Sequence, residues 1–290
     1  MLKFGASYHD FYLMGPRPID LNDYILSGGG FMGESYNCKD NPDYMLKLYP
    51  LGRTTLAQKE YERSKEAYTL GIHTPVPKEL VKAPDGRMGI VFRRIQGKKS
   101  FAKAVGEDPS RTEELAARFA AMCKTLHSTR VNKEEVSSIK EFFGKAFQPV
   151  RYLTSAQNDK LLRFIAAIPE TDTAVHGDLH FGNAIFRGNE SWFIDIGEFG
   201  YGNPLFDLGI FMSVTKYTAE DLIRKLYHME KSTAVSFWNA FLRDYFGADR
   251  PLKDIEEEIK PYAAIRALFV QHEIGRLPPE RQELVKCIIG

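Results

Sequence analysis

The segment HGDLHFGN at positions 176–183 constrains the fold of this chain more than any other stretch. Potential ligands and glycines alternate there without a helical period, so packing in a hydrophobic core does not explain the pattern. Short apolar segments at 184–186 and 192–194 follow it and predict a small hairpin. Loops that concentrate polar side chains usually serve binding or catalysis. The segment therefore predicts a functional loop next to two very short strands.

Phosphoryl transfer gives a reason for each polar position in this loop. An Asp accepts or orients the proton of the attacking hydroxyl, and an Asn from the same loop holds a magnesium ion. A second Asp on the next hairpin holds the metal from its other side. The spacing matches the H-x-D-x-x-x-x-N loop followed by D-x-G, which here is Asp195-Ile196-Gly197.

The first hundred residues contain features that bind nucleotides in such proteins. Four glycines lie between two predicted strands, where backbone amides can cover phosphates: Gly28, Gly29, Gly30 and Gly33. Lys47 lies in the middle of an apolar strand, and its partner is expected from the helix predicted over 54–70. Glu60 and Glu62 are both available there.

The character of the chain changes near Gly97. Strand-like segments with one helix precede it, and mostly helical segments follow, so the sequence predicts an α+β class with lobes 1–95 and 96–290. Ser110 and Glu113 have capping-box spacing at the start of a helix that runs to about His127. Further helices are predicted over 134–147, 156–167, 205–215, 219–229, 232–246 and 254–285.

These motifs resemble those of the aminoglycoside phosphotransferase and choline kinase group, over nearly the whole chain. The most specific parts are HGDLHFGN at 176–183 and FIDIGEFG at 193–200; the glycine-rich turn and the strand Tyr44–Tyr49 support them. The resemblance implies a two-lobed protein-kinase-like fold. The small sheet-rich N-lobe is expected to bind the nucleotide. The larger helical C-lobe is expected to carry the catalytic loop, the metal and the acceptor.

The resemblance also implies roles for residues of the C-lobe. Asp178 is expected to be the catalytic base, and Asn183 and Asp195 the magnesium ligands. His176 is expected to hold the loop by hydrogen bonds, and Asp207 to brace it from the following helix.

In the N-lobe, Lys47 is expected to contact the α- and β-phosphates. Glu60 best fits the helix residue that orients this lysine, and Glu62 stays an alternative. The family implies that adenine binds the backbone of the linker, here Phe92, Arg93, Arg94 and Ile95. The Arg93-Arg94 pair departs from the family, whose members often carry an acidic residue in this segment.

The expected activity is transfer of the γ-phosphoryl group of ATP to a hydroxyl of a small molecule, such as an aminoglycoside, choline or ethanolamine. GTP is the alternative donor. A catalytically silent nucleotide-binding protein and a protein-directed kinase are the alternative functions, although no Ala-Pro-Glu sequence follows Gly197. A different class, a transition-metal site, would use His176, Asp178 and His180. It would leave the glycine-rich turn without a role.

Composition narrows the partners and the compartment. The 39 basic and 38 acidic residues give a net charge of +1, which disfavours nucleic acid as a partner. Three distant cysteines predict no disulfide framework and fit a reducing cytoplasm. No signal peptide or apolar run of ~20 residues is visible, so no membrane segment is expected. The oligomeric state cannot be read from the sequence.

Two features of the C-terminal half are open to a functional interpretation. The acidic run 254–258 could attract a cationic acceptor, and aromatic residues such as Tyr201, Tyr217 and Trp238 could bind a quaternary amine. A solvated helix face and ordinary core packing are the favoured interpretations.

Overall fold

The computed structural model describes residues 15–30, 33–148, 152–274 and 277–290. Phe31 and Met32 of the predicted glycine-rich turn lie outside the described residues, as does the N-terminal segment in which no signal peptide is predicted. The chain divides into two compact units. The N-terminal unit extends to Thr69 and includes Thr74–Gly97, and the C-terminal unit comprises Leu70–His73 and Lys98–Gly290.

The described part of the N-terminal unit consists of one sheet, one α-helix and a short 3-10 turn, Leu21–Asp23. Its strands are β1 (Arg17–Pro18), β2 (Tyr24–Gly30), β3 (Gly33–Cys38), β4 (Tyr44–Leu48), β5 (Pro77–Lys82) and β6 (Met88–Arg93), and its helix is α1 (Thr54–Thr69). The strand order in the sheet is β1-β5-β6-β4-β3-β2, so β2 is an edge strand. All neighbouring pairs are antiparallel except β1 with β5, which is parallel.

The period-two alternation of β4 places its side chains on opposite faces of this sheet. Leu46 and Leu48 are fully buried and pack with Val81 and Val91 in one core cluster. Tyr49 belongs to the second cluster, with residues of α1. Lys47 lies between Leu46 and Leu48, so its side chain is on the opposite face of the sheet. This is the face of Tyr49, which α1 covers.

The C-terminal unit is mostly helical. Its helices are α2 (Phe101–Glu107), α3 (Thr112–Ser128), α4 (Ile139–Ala146), α5 (Ser155–Ala167), α6 (Leu205–Lys216), α7 (Glu220–Tyr227), α8 (Lys231–Phe246), α9 (Leu252–Ile274) and α10 (Pro279–Ile289). Its short strands are β7 (Lys99–Ser100), β8 (Ala174–Val175), β9 (Ala184–Arg187), β10 (Glu190–Phe193) and β11 (Gly200–Tyr201). They form a β10-β9-β7 sheet and a β11-β8 pair.

The core of this unit is rich in aromatic side chains. Helix α9 packs against α6, and α8 packs against α3. Phe119, Phe211, Phe237, Trp238 and Phe241 are fully buried and meet mostly in tilted and edge-to-face pairs. The predicted α+β class, sheet-rich first and helical afterwards, is confirmed. No helix in the described part of the chain is long and apolar enough to cross a membrane.

Several predicted helices have different boundaries in the structure. The single helix predicted over 254–285 is wrong, because α9 and α10 are separate helices and Pro278-Pro279 begins the second. The helix predicted over 134–147 is shorter and begins at Ile139, capped by Ser138.

The predicted capping box of α3 is also wrong. Pro109 begins a 3-10 turn before the helix, and Asp108 caps that turn by accepting from the amide of Ser110. Ser110 donates its own hydroxyl to Asp108 instead of capping α3. The α-helix then starts at Thr112 without a side-chain cap.

Candidate active site

The catalytic loop predicted at 176–183 lies between β8 and β9 and ends in a 3-10 turn, Phe181–Asn183. Gly177 has a φ of 82°, and a Cβ there would lie 2.1 Å from the carbonyl oxygen of Glu198. Only glycine fits such a backbone conformation and approach. The close packing of the loop against the segment after β10 therefore depends on Gly177.

Asp207, in the first turn of α6, holds the start of this loop. Its side chain is fully buried, and its carboxylate accepts hydrogen bonds from the amides of His176 (2.7 Å) and Gly177 (2.8 Å). His127 Nε2 lies 3.0 Å from Asp207 Oδ2, and His127 Nδ1 lies 2.7 Å from the Tyr245 hydroxyl. A buried carboxylate is stable only when its oxygens are paired in this way.

His176 is fully buried and links two segments of the loop region. Its Nδ1 accepts from the amide of Asp178 (3.2 Å), so the proton lies on Nε2, which donates to the Ile194 carbonyl (3.1 Å). The ring thus fixes the backbone at Asp178 relative to the strand that precedes Asp195.

The Asp178 carboxylate has two side-chain partners. Arg266 Nη2 donates to Oδ1 at 2.7 Å, and Asn183 Nδ2 donates to Oδ2 at 3.2 Å. The carboxylate is 29% exposed, so a solute can reach it. Burial alone would raise the pKa of Asp178, but the positive charge of Arg266, with smaller contributions from the histidines and Asn183, lowers it below its usual value. Asp178 is therefore ionised at neutral pH.

His180 is engaged within the same loop. Its Nδ1 accepts from the amide of Gly182 at 3.0 Å, and its ring packs edge-to-face on Tyr227. Burial lowers the pKa of His180 to about 4, against the opposing effect of the Asp178 carboxylate, so the ring is neutral at pH 7. Over the described ranges, no group of three or more His, Cys, Asp and Glu side chains could hold a metal ion. This geometry does not support the transition-metal alternative.

A hairpin brings Asn183 and Asp195 to the same end of β9 and β10. Ala184 is the register partner of Phe193, and the amide of Ile194 donates to the carbonyl of Asn183 at 2.9 Å. Asn183 is buried and Asp195 is exposed. Asp195 has a φ of 55°, a left-handed conformation that is uncommon for a residue with a side chain.

Lys47 and Glu60 form an ion pair within the N-terminal unit. Lys47 Nζ lies 2.8 Å from both carboxylate oxygens of Glu60, and the Tyr49 hydroxyl also donates to Glu60. The side chains are 13% and 8% exposed. Glu62 is exposed on the other side of α1. Of the two acidic candidates, Glu60 is the one that contacts Lys47.

The glycines of β2 and β3 occupy two kinds of position. Gly33 has a φ of 135°, and a Cβ there would lie 2.3 Å from the Leu48 carbonyl oxygen. At Gly28 a Cβ would meet nothing within 4 Å. Packing within the protein therefore requires glycine at position 33 and not at position 28. Gly28, Gly29 and Gly30 lie in the edge strand β2, and Gly28 and Gly29 are exposed.

The linker segment Phe92–Ile95 leaves the sheet at the end of β6. The amide of Arg93 donates to the Val76 carbonyl (2.9 Å), and that of Arg94 donates to the Asp43 carbonyl (2.7 Å). Phe92 is buried, whereas the Arg93 side chain is exposed. The amides of Arg93 and Arg94 are therefore already used inside the N-terminal unit.

The acidic run and the aromatic residues have structural partners. Glu256 is the partly buried acidic member of the run; it pairs with Lys216 Nζ at 2.7 Å and accepts from Trp238 Nε1 at 2.8 Å. Asp254, Glu257 and Glu258 are exposed. Trp238 itself is buried in the aromatic core.

Sequence reasoning missed two residues of the site, His127 and Arg266. His127 lies in the last turn of α3, at the end of its apolar face. No neighbouring motif in the sequence indicates that it contacts Asp207. Arg266 is 88 residues from Asp178, in the middle of α9. Only the packing of α9 brings its guanidinium to the loop.

The chain is similar to known phosphotransferases in sequence pattern and in fold. A model described as the phosphotransferase enzyme family matches residues 28–251. No curated protein matches the sequence. The predicted resemblance to the aminoglycoside phosphotransferase and choline kinase group is confirmed.

Several solved structures have the same fold. A choline/ethanolamine kinase family protein from Mesorhizobium loti is 17% identical, with a TM-score of 0.54 over 92% of this chain and 85% of that one. An amicoumacin kinase in complex with AMP-PNP, Ca²⁺ and Ami is 16% identical, with a TM-score of 0.56 and coverages of 94% and 88%. A thermostable mutant of aminoglycoside phosphotransferase APH(4)-Ia, with AMP-PNP and hygromycin B, is 12% identical, with a TM-score of 0.64 and coverages of 92% and 93%.

Proposed function

Because this chain belongs to the phosphotransferase enzyme family, we propose that it transfers the γ-phosphoryl group of ATP to a hydroxyl of a small molecule. The acceptor oxygen forms a bond to the γ-phosphorus, and the bond from that phosphorus to the β,γ-bridging oxygen breaks. ADP leaves, and the hydroxyl proton passes to Asp178. GTP is the alternative donor that the experiment below tests.

The observation that carries the proposal is the Asp178 carboxylate, held between Arg266 and Asn183 in a fixed loop. Arg266 lies on one oxygen and Asn183 on the other, so the carboxylate has a defined orientation. It is partly exposed, and an acceptor hydroxyl can hydrogen-bond to it. Because the transition state of phosphoryl transfer is loose, the base contributes mainly by orienting the hydroxyl and accepting its proton late.

Asp207 and His176 keep this base in position. Asp207 binds the two amides that precede Asp178, and His176 binds the amide of Asp178 itself. Such supporting hydrogen bonds fix a reactive group more accurately than a free loop would. His127 extends the support to α3 through its contact with Asp207.

The donor atoms of Asn183 and Asp195 fit a magnesium ion. Asn183 uses its amide nitrogen on Asp178, which leaves the amide oxygen for a cation, and Asp195 adds a carboxylate. Hard divalent cations prefer such oxygen ligands and usually complete their shell with phosphate oxygens and water. When bound, magnesium would offset the negative charge of the β- and γ-phosphates. The left-handed backbone at Asp195 costs on the order of 1–3 kcal/mol, a cost that residues at functional sites often carry.

The N-terminal unit supplies the groups that would bind the nucleotide. Glu60 orients Lys47 through an ion pair, so the ammonium group of Lys47 can neutralise the α- and β-phosphates. Packing within the protein does not require glycine at positions 28 and 29. The absence of side chains there would allow a phosphate to approach the backbone of the edge strand closely. Since the amides of Arg93 and Arg94 have partners, the adenine contact within Phe92–Ile95 would use other backbone groups.

A nucleotide-consumption screen tests the proposal. ADP or GDP release is measured with ATP or GTP over a panel of hydroxyl-bearing metabolites and aminoglycosides, with magnesium and with EDTA. The proposal expects acceptor-dependent ADP release that needs magnesium. Magnesium-dependent ATP binding without release on any acceptor would instead favour a catalytically silent protein.

A further inference from the structure

Arg281 is a buried cation whose hydrogen-bonding groups are only partly satisfied by the described residues. It lies in the first turn of α10 and is 9% exposed. Its Nε donates to the Tyr217 carbonyl (3.1 Å) and its Nη2 to the Thr218 hydroxyl (3.4 Å). Its Nη1 is buried and has no hydrogen-bond partner among the described residues. A buried donor without a partner costs about 1–3 kcal/mol, and more when it is charged.

Charges around Arg281 do not neutralise it. Both of its described hydrogen-bond acceptors are neutral oxygens, and the acidic residue that acts on it, Glu280, is exposed. Burial, with a smaller contribution from the positive charge of Arg266, lowers the pKa of Arg281 to about 10, while Tyr227 and Glu280 oppose this shift. The side chain remains cationic at neutral pH and needs an anionic partner.

Thr218, which Arg281 contacts, also contacts Lys231 and Ser213. Lys231 Nζ donates to the Thr218 carbonyl at 2.6 Å, and the Thr218 hydroxyl donates to the Ser213 carbonyl at 3.3 Å. The Ser213 hydroxyl is buried and, like Arg281 Nη1, has no described partner. We call Arg281, Lys231, Ser213 and Thr218 the Thr218 cluster. It combines two cations with an unused hydroxyl.

Tyr227, the last residue of α7, packs on the catalytic loop. Its ring lies edge-to-face on Phe181 (4.9 Å between centroids) and on His180 (5.4 Å). Burial raises the pKa of Tyr227, the Asp178 carboxylate raises it further, and the charges of Arg266 and Arg281 oppose this rise. Tyr227 is thus within electrostatic reach of both the base and Arg281.

Three acidic residues of the run 254–258 already have basic partners. Glu256 pairs with Lys216, Glu258 with Arg250 and Glu257 with Lys260. Among the described residues near the loop, the carboxylate of Asp178 is itself paired with Arg266. A cation bound by these carboxylates would have to displace an existing partner, whereas an anion would supply the partner that Arg281 Nη1 lacks among the described residues.

From these contacts we propose that the acceptor carries an anionic group, a carboxylate or a phosphate, which Arg281 and Lys231 bind while a hydroxyl of the same molecule reaches Asp178. This rests on the proposed function, since it names the substrate class of the same site. The guanidinium of Arg281 can bind two anion oxygens at fixed geometry, which a lysine cannot do. The chemistry of transfer is unchanged.

Calorimetric titration tests the anion site without turnover. The probes are inorganic phosphate, D-glycerate and D-glucose 6-phosphate, with glycerol, D-glucose and choline as neutral and cationic counterparts. We expect the anionic probes to bind at least ten times more tightly than their counterparts, and Arg281→Gln to lose that binding. Lys286→Gln removes an exposed charge from the same helix and should leave it unchanged. The glycerate and glucose 6-phosphate arms distinguish a carboxylate from a phosphate.

Acceptor kinetics provide the second measurement. In the ADP-release screen, anionic hydroxyl compounds should have the highest kcat/KM, and Arg281→Gln should lower it at least tenfold through the KM of the acceptor, with the KM of ATP within twofold. Arg281→Lys keeps the charge and covers the case in which the glutamine variant does not fold; it should retain part of the preference.

The outcomes separate the two proposals. Turnover of choline or aminoglycosides with no anion preference would overturn the acceptor proposal and leave the phosphotransferase proposal intact. Absence of anion binding, or binding that Arg281→Gln and Arg281→Lys leave unchanged, would overturn it as well. Arg281-dependent phosphate binding together with no turnover on any acceptor would count against phosphoryl transfer and not against the anion site.

Discussion

Arg266 Nη2 lies 2.7 Å from Asp178 Oδ1, so a cation from the middle of α9 is paired with the proposed catalytic base. The pair links a helix residue 88 positions away in the sequence to the group that would accept the proton. It favours the carboxylate form of Asp178, which is the form that a base requires.

Removal of the Arg266 charge should change the pH dependence of turnover. The folded-state pKa of Asp178 is lowered, so the carboxylate is lost only as the pH falls through that lowered pKa. In Arg266→Gln the pKa of Asp178 rises, and the acidic limb of the kcat/KM profile should move to higher pH. Arg266→Lys keeps the charge and should retain a limb close to that of the wild type. If the acidic limb stays in place in Arg266→Gln, Arg266 does not control the pKa of Asp178.

Glu60 and Glu62 form a matched pair of variants on α1. Glu60→Gln replaces a carboxylate in contact with Lys47, and a charge-assisted hydrogen bond of this kind contributes about 1.5–3 kcal/mol. We expect kcat/KM for ATP to fall at least about tenfold. Glu62→Gln, on the exposed side of the helix, should stay within about twofold of the wild type. Equal effects of the two variants would remove Glu60 from the nucleotide site.

Loss of the Asp207 carboxylate should destabilise the catalytic loop. The Asp207 carboxylate accepts from the amides of His176 and Gly177 with its two oxygens, whereas Asn has only one side-chain oxygen. The NH2 group of Asn would replace the other oxygen and place a donor against a backbone donor. Asp207→Asn should lower the free energy of unfolding by about 1–3 kcal/mol in a urea titration and reduce kcat. Asp172→Asn, which breaks an exposed pair with Arg130, should leave stability almost unchanged. An unchanged free energy of unfolding in Asp207→Asn would contradict the role of Asp207 in holding the loop.

Gly33 and Gly28 should respond differently to the same added methyl group. Gly33→Ala combines a strained φ with a clash against the Leu48 carbonyl and should destabilise the protein by about 2–4 kcal/mol. Gly28→Ala should change stability by less than about 0.5 kcal/mol and weaken ATP binding. Thermal unfolding and ATP titration measure the two effects. Unchanged ATP affinity in Gly28→Ala would exclude this glycine from the phosphate site.

The fold class and the loop residues could be predicted because their signals are local. Alternation in β4, the turn-rich segment at 176–183 and the spacing to Asp195 all lie within short windows of the sequence. Arg266 could not be predicted, because its contact with Asp178 depends on how α9 packs, and an arginine in mid-helix has no periodic signal of its own. Arg281 is hidden for the same reason: a cation in the first turn of a helix is ordinarily solvated.

The most direct test of phosphoryl transfer by this loop is the turnover of Asp178→Asn on an acceptor found in the ADP-release screen. The variant keeps the size of the side chain and removes its ability to accept the proton. The account predicts that kcat falls by about 10²–10⁴-fold while the dissociation constant of magnesium–ATP stays within about twofold. Turnover at the wild-type rate, with ATP bound as before, would contradict it.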